Sequence, residues 1–458
     1  MSFGNRLLHS RPVLLIAFAF AVMGDPVSSV AYAIEAALRA LDARLGLLLA
    51  TMGLVVAIIA LVIVNYHRLV ARFPGGGDAE ATGRAFGESW SFLPLGALIV
   101  DYALTIAISC SAATSALIAY LPEARSARLP IAITLCVMVA GLTWFGHVGR
   151  TLFALMTISF VAVGSVVIVH GLVAPVAHAH ASLHPAGASG SPIVAVLLAF
   201  PVAMALATGV EAPSSAVAQL GQLDRAGRVR FGQVTLWLTL GIVGWLTLGL
   251  TLLAERLRVG IPPADSTQIA EIARAASGNG IEFAAFQLSS AVLLLAAASS
   301  SFQAGPGLLK ALSGGTSAGV GILPARLGRS NIHHTPYWSV AVFLAIAGTI
   351  ILAGGGHEQE LVLFYAVAVF VSFLFGLLAM STFSHREGRS WLLGVNVVSL
   401  GAVILTLAVN LRRGYPLASL AAAAATAGLL YLLWVRAGRP RGVSEAERLA
   451  EQELATAP

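Results

Sequence analysis

Charge is scarce in this sequence. Only 10% of its 458 residues are Asp, Glu, Lys or Arg, whereas soluble domains carry about 25%. A chain so poor in charge cannot dress a water-facing surface, which excludes an ordinary soluble enzyme and a disordered protein. Lysine is almost absent: Lys310 is the only one, and it falls at a loop edge. That removes a Ser/Lys dyad, and no HExxH or GxSxG appears in the apolar stretches, so no motif points to an enzyme. Cysteine is nearly missing as well. Cys110 and Cys136 lie in separate apolar stretches, without disulfide or metal-ligand spacing, and read as small packing residues.

What the chain has is apolar length. Hydrophobic residues make up 58% of it. Runs long enough to cross ~30 Å of hydrocarbon fall near 13–38, 45–67, 91–120, 129–146, 150–175, 191–220, 231–254, 281–304, 336–354, 361–383, 391–411 and 416–435. None alternates polar and apolar residues, so the twelve read as helices rather than barrel strands. The boundary at His147-Val148-Gly149 is the weakest. The 46 glycines and 19 prolines are tolerated in membrane helices where neighbours re-satisfy the backbone.

With the N-terminus inside, 18 of the 27 basic residues fall on inside segments. This bias predicts a multi-pass protein of the inner (plasma) membrane with both termini cytoplasmic. Ala31-Tyr32-Ala33 fits a cleavage pattern, but apolar character resumes after Pro26, so an uncleaved first span is expected. His178, His180 and His184 lie in a loop and read as ordinary loop residues, not a metal site. After Trp434 the tail is short and leaves no room for a regulatory domain; Ser444 and Glu447 are spaced as a capping box.

Two spans carry acids beside helix breakers. The first reads AFAVMGDPVSSVAYAIEAAL, with Gly24-Asp25-Pro26 at its middle; the sixth reads FPVAMALATGVEAPSSAVAQL, with Glu211 close to Pro213. Proline removes a backbone donor and crowds the preceding turn, and a mid-membrane acid is costly without a purpose. Each acid is followed at +3 and +4 by a serine pair, Ser28-Ser29 and Ser214-Ser215. Interrupted helices with freed carbonyls lining a cavity are therefore expected, and paired interruptions in the two halves of a chain mark the binding site of a secondary transporter. The third span adds Asp101 and Tyr102. Steps of four put Asp101, Thr105 and Ser109 on one face, a ladder of oxygens. Oxygen-rich sites suit hard cations and protons.

At these residues the chain resembles the KimA-type potassium transporters, relatives of the KUP carriers, in the amino acid–polyamine–organocation superfamily. The matching stretches are DPVSSVAYAIEAAL at 25–38, FPGGG at 73–77, VDYALTIAISCSA at 100–112, ATGVEA at 207–212 and FYAVAVFVSF at 364–373. The resemblance implies an all-α membrane fold, a LeuT-type five-plus-five inverted repeat with two further helices, spans one and six being broken. It places a transporter domain at 1–435, with repeat one about 13–175, repeat two about 191–383 and extra helices 391–411 and 416–435, before a cytoplasmic tail at 436–458. It implies proton-coupled potassium uptake by alternating access, with potassium and protons as transported species and no cofactor. By motif, the ion-binding positions fall on Asp25, Tyr32, Asp101, Tyr102, Thr105, Ser109, Thr208 and Tyr365, and the proton-coupling acid on Glu211. The DAEATG run after the glycine-rich loop and WFGHVGRT after the fourth span depart from the family pattern.

The expected partners are the lipid bilayer and a small cation, with no nucleic acid and no metal beyond the transported ion. A second reading in the same fold is a permease for amino acids or other organic solutes. A third, an intramembrane enzyme or a sensor, lacks a supporting motif in the spans.

Overall fold

The computed structural model describes residues 11–145, 150–176, 191–314, 319–412 and 416–456; the side chains at 150, 365, 366, 416 and 454–456 lie outside the description. The described residues are helical almost throughout, and only an isolated bridge between Ser313 and Leu323 pairs extended backbone among them. Ten helices are long and apolar enough to span a bilayer: Leu45–Arg72, Glu88–Tyr120, Pro122–Trp144, Thr151–Val173, Pro192–Gln219, Arg225–Arg256, Ile281–Leu312, Glu358–Arg386, Ser390–Arg412 and Leu417–Arg436. Two shorter apolar helices, Arg11–Val22 and Tyr337–Ala353, complete the set. Numbered by position, these are the twelve expected spans, with Arg11–Val22 opening span one and Tyr337–Ala353 forming span nine. Their ends run past the apolar cores because capped polar turns extend them: Asp224 caps span seven by accepting from the Gly227 N–H at 3.1 Å, as N-cap acids do.

Burial separates the spans by role. Within the apolar window of span three 83% is buried, against 22% in span twelve. Span three is therefore the axis of the molecule, packed on spans eight, ten and twelve, whereas span twelve turns its apolar surface to lipid. Spans one and five, two and seven, four and nine pack as further pairs.

The two interruptions differ in kind. Span one continues as Gly24–Ser28 and Val30–Ala40, and its joints at Met23 and Ser29 keep near-helical backbone angles. The Val27 N–H still reaches the Met23 carbonyl at 3.0 Å. Span one is thus interrupted, as expected, but at two joints rather than by an extended turn; Pro26 has no N–H to give the Val22 carbonyl, and it sits in the first turn of Gly24–Ser28, where its missing donor costs little. Span six does open. Pro192–Ala203 tightens into a 3₁₀ turn at Met204–Ala207, Thr208 is extended with ψ 140°, and Gly209 has φ +77° before the helix resumes at Ala212–Ala216.

Outside the spans, a helix Gly77–Phe86 follows span two, and a tail helix Ala446–Thr456 follows span twelve. Both lie on one face, here termed the tail face. The tail helix packs on span eight, on the end of span six and on Gly77–Phe86. The expected capping box is not formed there: Gly442 donates to Glu88 Oε1 at 2.8 Å, while the Glu447 carboxylate turns onto Gly77 and accepts from Ser215. Cys110 and Cys136 are buried and free. The three loop histidines and the His147–Gly149 boundary lie outside the described residues.

Candidate functional site

The opened backbone of span six faces the jointed segment of span one at very short range. A Cβ on Gly209 would lie 2.8 Å from Asp25 Oδ2 and 2.9 Å from Pro26 Cδ. Only glycine permits both that approach and the positive φ. Ser29 Oγ lies 2.7 Å from Thr208 Oγ1 and 3.0 Å from Tyr32 Oη, joining three hydroxyls across the two spans. Thr208 Oγ1 itself donates to the Ala205 carbonyl at 2.9 Å. The other serines of the paired motif stay on their own side: Ser28 donates to the Asp25 carbonyl at 2.7 Å, and Ser215 lies 3.2 Å from the Ala212 carbonyl and within reach of the Glu447 carboxylate. Such local bonding is the usual fate of hydroxyls in helices. Ser29, absent from the motif-matched set, is the member that reaches across.

Span three supplies the opposite wall. Asp101, Thr105 and Ser109 are all buried, and Asp101 interacts electrostatically with Glu211 and Asp25. Glu211 accepts hydrogen bonds from its own N–H and that of Gly209, so its carboxylate stabilises the opened turn. Yet one oxygen on each of Asp25, Asp101 and Glu211 is buried without a hydrogen-bond partner. Burying a charge without a partner is expensive, and among the described residues no arginine, lysine or histidine forms an ion pair with any of the three. The arrangement is suited to exchanging a cation for a proton on oxygen ligands.

The structure brings together Asp25, Tyr32, Asp101, Thr208 and Glu211, with Thr105 and Ser109 on the shared face of span three. Tyr102 sits differently: it feels Glu447 and Glu451 more than it feels Asp101, so it belongs to the tail-face side. The Tyr365 side chain lies outside the described residues.

Two clusters flank the site, and sequence reading passed over both. Away from the tail face, Arg128 and Glu358 form a buried pair at 3.8 Å, bridged by Ser115, and Arg128 also donates to the Ala264 carbonyl at 2.7 Å. Glu35 accepts there from Arg39 at 2.9 Å and from the Gln268 N–H at 3.0 Å. On the tail face, Asp78 Oδ2 accepts from Tyr66 at 2.6 Å and Ser372 at 3.1 Å. Burial pushes the Asp78 carboxyl up to about 7 and holds that of Glu447 well above the usual carboxylate range, because a dry environment disfavours the charged form. Burial raises Glu80 too, against Arg448 and Arg84. The one sequence signal for Asp78 was the acidic DAEATG run beside the glycine turn.

Comparisons with known proteins agree with this architecture. The family profile described as "Amino acid permease" matches residues 15–440. The potassium transporter KimA of Bacillus subtilis (strain 168) is 27% identical over 371 residues, covering 76% of this chain and 57% of that protein; the chain thus spans little more than half the length of that curated relative. Crystal structures of two mutant forms of an Eremococcus coleocola manganese transporter superpose with TM-scores of 0.50 and 0.51 at 14% and 16% identity, covering 94% of this chain and 96% of theirs. At that identity the likeness concerns the fold alone, which is the LeuT-type transporter fold.

Proposed function

We propose that this chain, which belongs to the amino acid permease family, takes up potassium together with protons. That it is a multi-pass membrane transporter follows from family and fold; the ion, the coupling and the topology are our reading. One observation carries it: Asp25, Asp101 and Glu211 converge on the opened turn of span six, each with a buried carboxylate oxygen left without a partner, beside the hydroxyls of Ser29, Tyr32 and Thr208. The similarity to a potassium transporter supports the choice of ion.

In this reading Asp25 and Asp101 hold the dehydrated cation with Tyr32, Thr105, Ser109, Thr208 and Tyr365, and Glu211 exchanges the coupled proton. The inverted repeats run over about 13–175 and 191–383, and the tail face is cytoplasmic. Rubidium uptake into proteoliposomes, driven by an inward proton gradient, tests the assignment; growth of a potassium-uptake-deficient bacterium at low potassium tests it in cells. Proton-driven amino-acid uptake indifferent to potassium would replace the ion with an organic solute.

A further inference from the structure

Below Glu211, towards the tail face, lies a second group of acids that the ion site does not use. A narrow cavity is lined by Asp78, Glu211 and Glu447 together with Ser214 and Ser372. It offers room for about one water. Asp78 is 5% exposed and Glu447 7%. Both donors to Asp78, Tyr66 and Ser372, go to Oδ2. Oδ1 is buried and receives no hydrogen bond, and it rests against the bare α-carbon of Gly376. Glu211 likewise keeps a buried oxygen without a partner. Glu447 comes from the tail helix, and its carboxylate occupies the space that a side chain at Gly77 would fill.

The charged groups around them are disposed of elsewhere. Arg448 and Arg84 lie against Glu80 and Glu445, and Lys310 pairs with Glu453 at 2.9 Å. What faces Asp78 and Glu447 is Tyr66, Tyr102, Glu211 and Glu451, all of them neutral or negative. Among the described residues neither acid has an ion-pair partner.

We propose that Asp78 and Glu447 form a second, proton-binding site that carries the proton of Glu211 onward to the cytoplasm. The inference rests on the reading of Glu211 as the coupling acid. In each transfer a carboxyl group gives up its proton and a carboxylate takes it, directly or through the cavity water. The net charge of the three acids is therefore unchanged until Glu447 releases the proton to bulk water. No metal is required in these transfers. The raised carboxyl of Asp78 matches a carrier that loads and unloads near neutral pH. The tail helix thereby supplies the last group of the path as well as packing against span eight and span six.

The test uses the full chain with Asp78→Asn and Glu447→Gln. In proteoliposomes, rubidium accumulation driven by a proton gradient should fall by about tenfold or more, while rubidium–rubidium exchange, which needs no net proton release, stays within about twofold of the parent. Equal loss of both would make the residues merely structural; unchanged accumulation would overturn the relay. A second measurement is independent of the transported ion. Infrared difference spectra of the solubilised protein across neutral pH should show a titrating protonated-carboxyl band, weakened in each variant. Failure of the parent protein to move rubidium would sink the potassium reading alone, and a carboxyl band unaltered in both variants would sink the site.

Discussion

Ser29 Oγ and Thr208 Oγ1 lie 2.7 Å apart although 179 residues of chain separate them. This contact ties the jointed span to the opened one beside the carboxylates. Thr208→Val keeps the shape and deletes the hydroxyl. A hydrogen bond lost from a buried pair costs ~1–3 kcal/mol, so the rubidium KM should rise about tenfold with the protein still folded. Ser29→Ala should act in the same direction, and the double variant should add little, because the two hydroxyls share one contact. Transport kinetics of the three proteins check this.

Asp101→Asn and Asp25→Asn remove charge without changing volume. As ligands of a cation, both should abolish saturable rubidium binding while leaving a monodisperse, thermally stable protein, since each parent carboxylate already keeps one oxygen without a partner. Isothermal titration with rubidium, alongside a melting curve, makes the check; near-parental affinity in both variants would remove the ligand role.

Gly209→Ala places a methyl group against Asp25 and Pro26 at a residue with φ +77°. The strain and the overlap act together, at ~1–3 kcal/mol for the backbone alone. Lower yield and a lower melting temperature are expected, with transport falling further than protein level.

Asp78 gives a pH signature. Its carboxyl is raised by burial from 3.8 to about 7 in the folded protein. Stability due to that shift is fully present below the unfolded value and is lost as pH rises through about 7, by up to ~4 kcal/mol in total. Asp78→Asn should flatten this stretch of the melting-temperature profile between mildly acidic and neutral pH, leaving the Asn variant the more stable of the two at pH about 8. Differential scanning fluorimetry of the solubilised proteins across pH makes the comparison.

Much of the fold was legible because apolar length and helix period act locally. The twelve spans could be placed from runs of Leu, Ala, Val and Ile, and the opening of span six followed from glycine, acid and proline in sequence. Span one shows the limit. Its Gly24-Asp25-Pro26 looks like a stronger breaker than Thr208-Gly209, yet Pro26 falls where an early-turn donor is dispensable, and the backbone stays wound. Ser29 could be suspected from its spacing to Asp25, but not distinguished from Ser28, because the choice between a backbone carbonyl and Thr208 is made by packing. The pair Arg128–Glu358 joins residues 230 apart along the chain, and the tail-face acids Asp78 and Glu447 join the tail helix to a short helix after span two. No periodicity encodes such meetings.

The ion pair between Lys310 and Glu453 has a practical consequence. Lys310 is the only lysine in the sequence, and its side chain is 13% exposed beneath the tail helix. Within this sequence an amine-reactive reagent therefore finds one lysine target, and that target is guarded by the element whose departure would uncover it. Its labelling rate in unaltered protein is a natural clock for how often the tail lifts from the bundle.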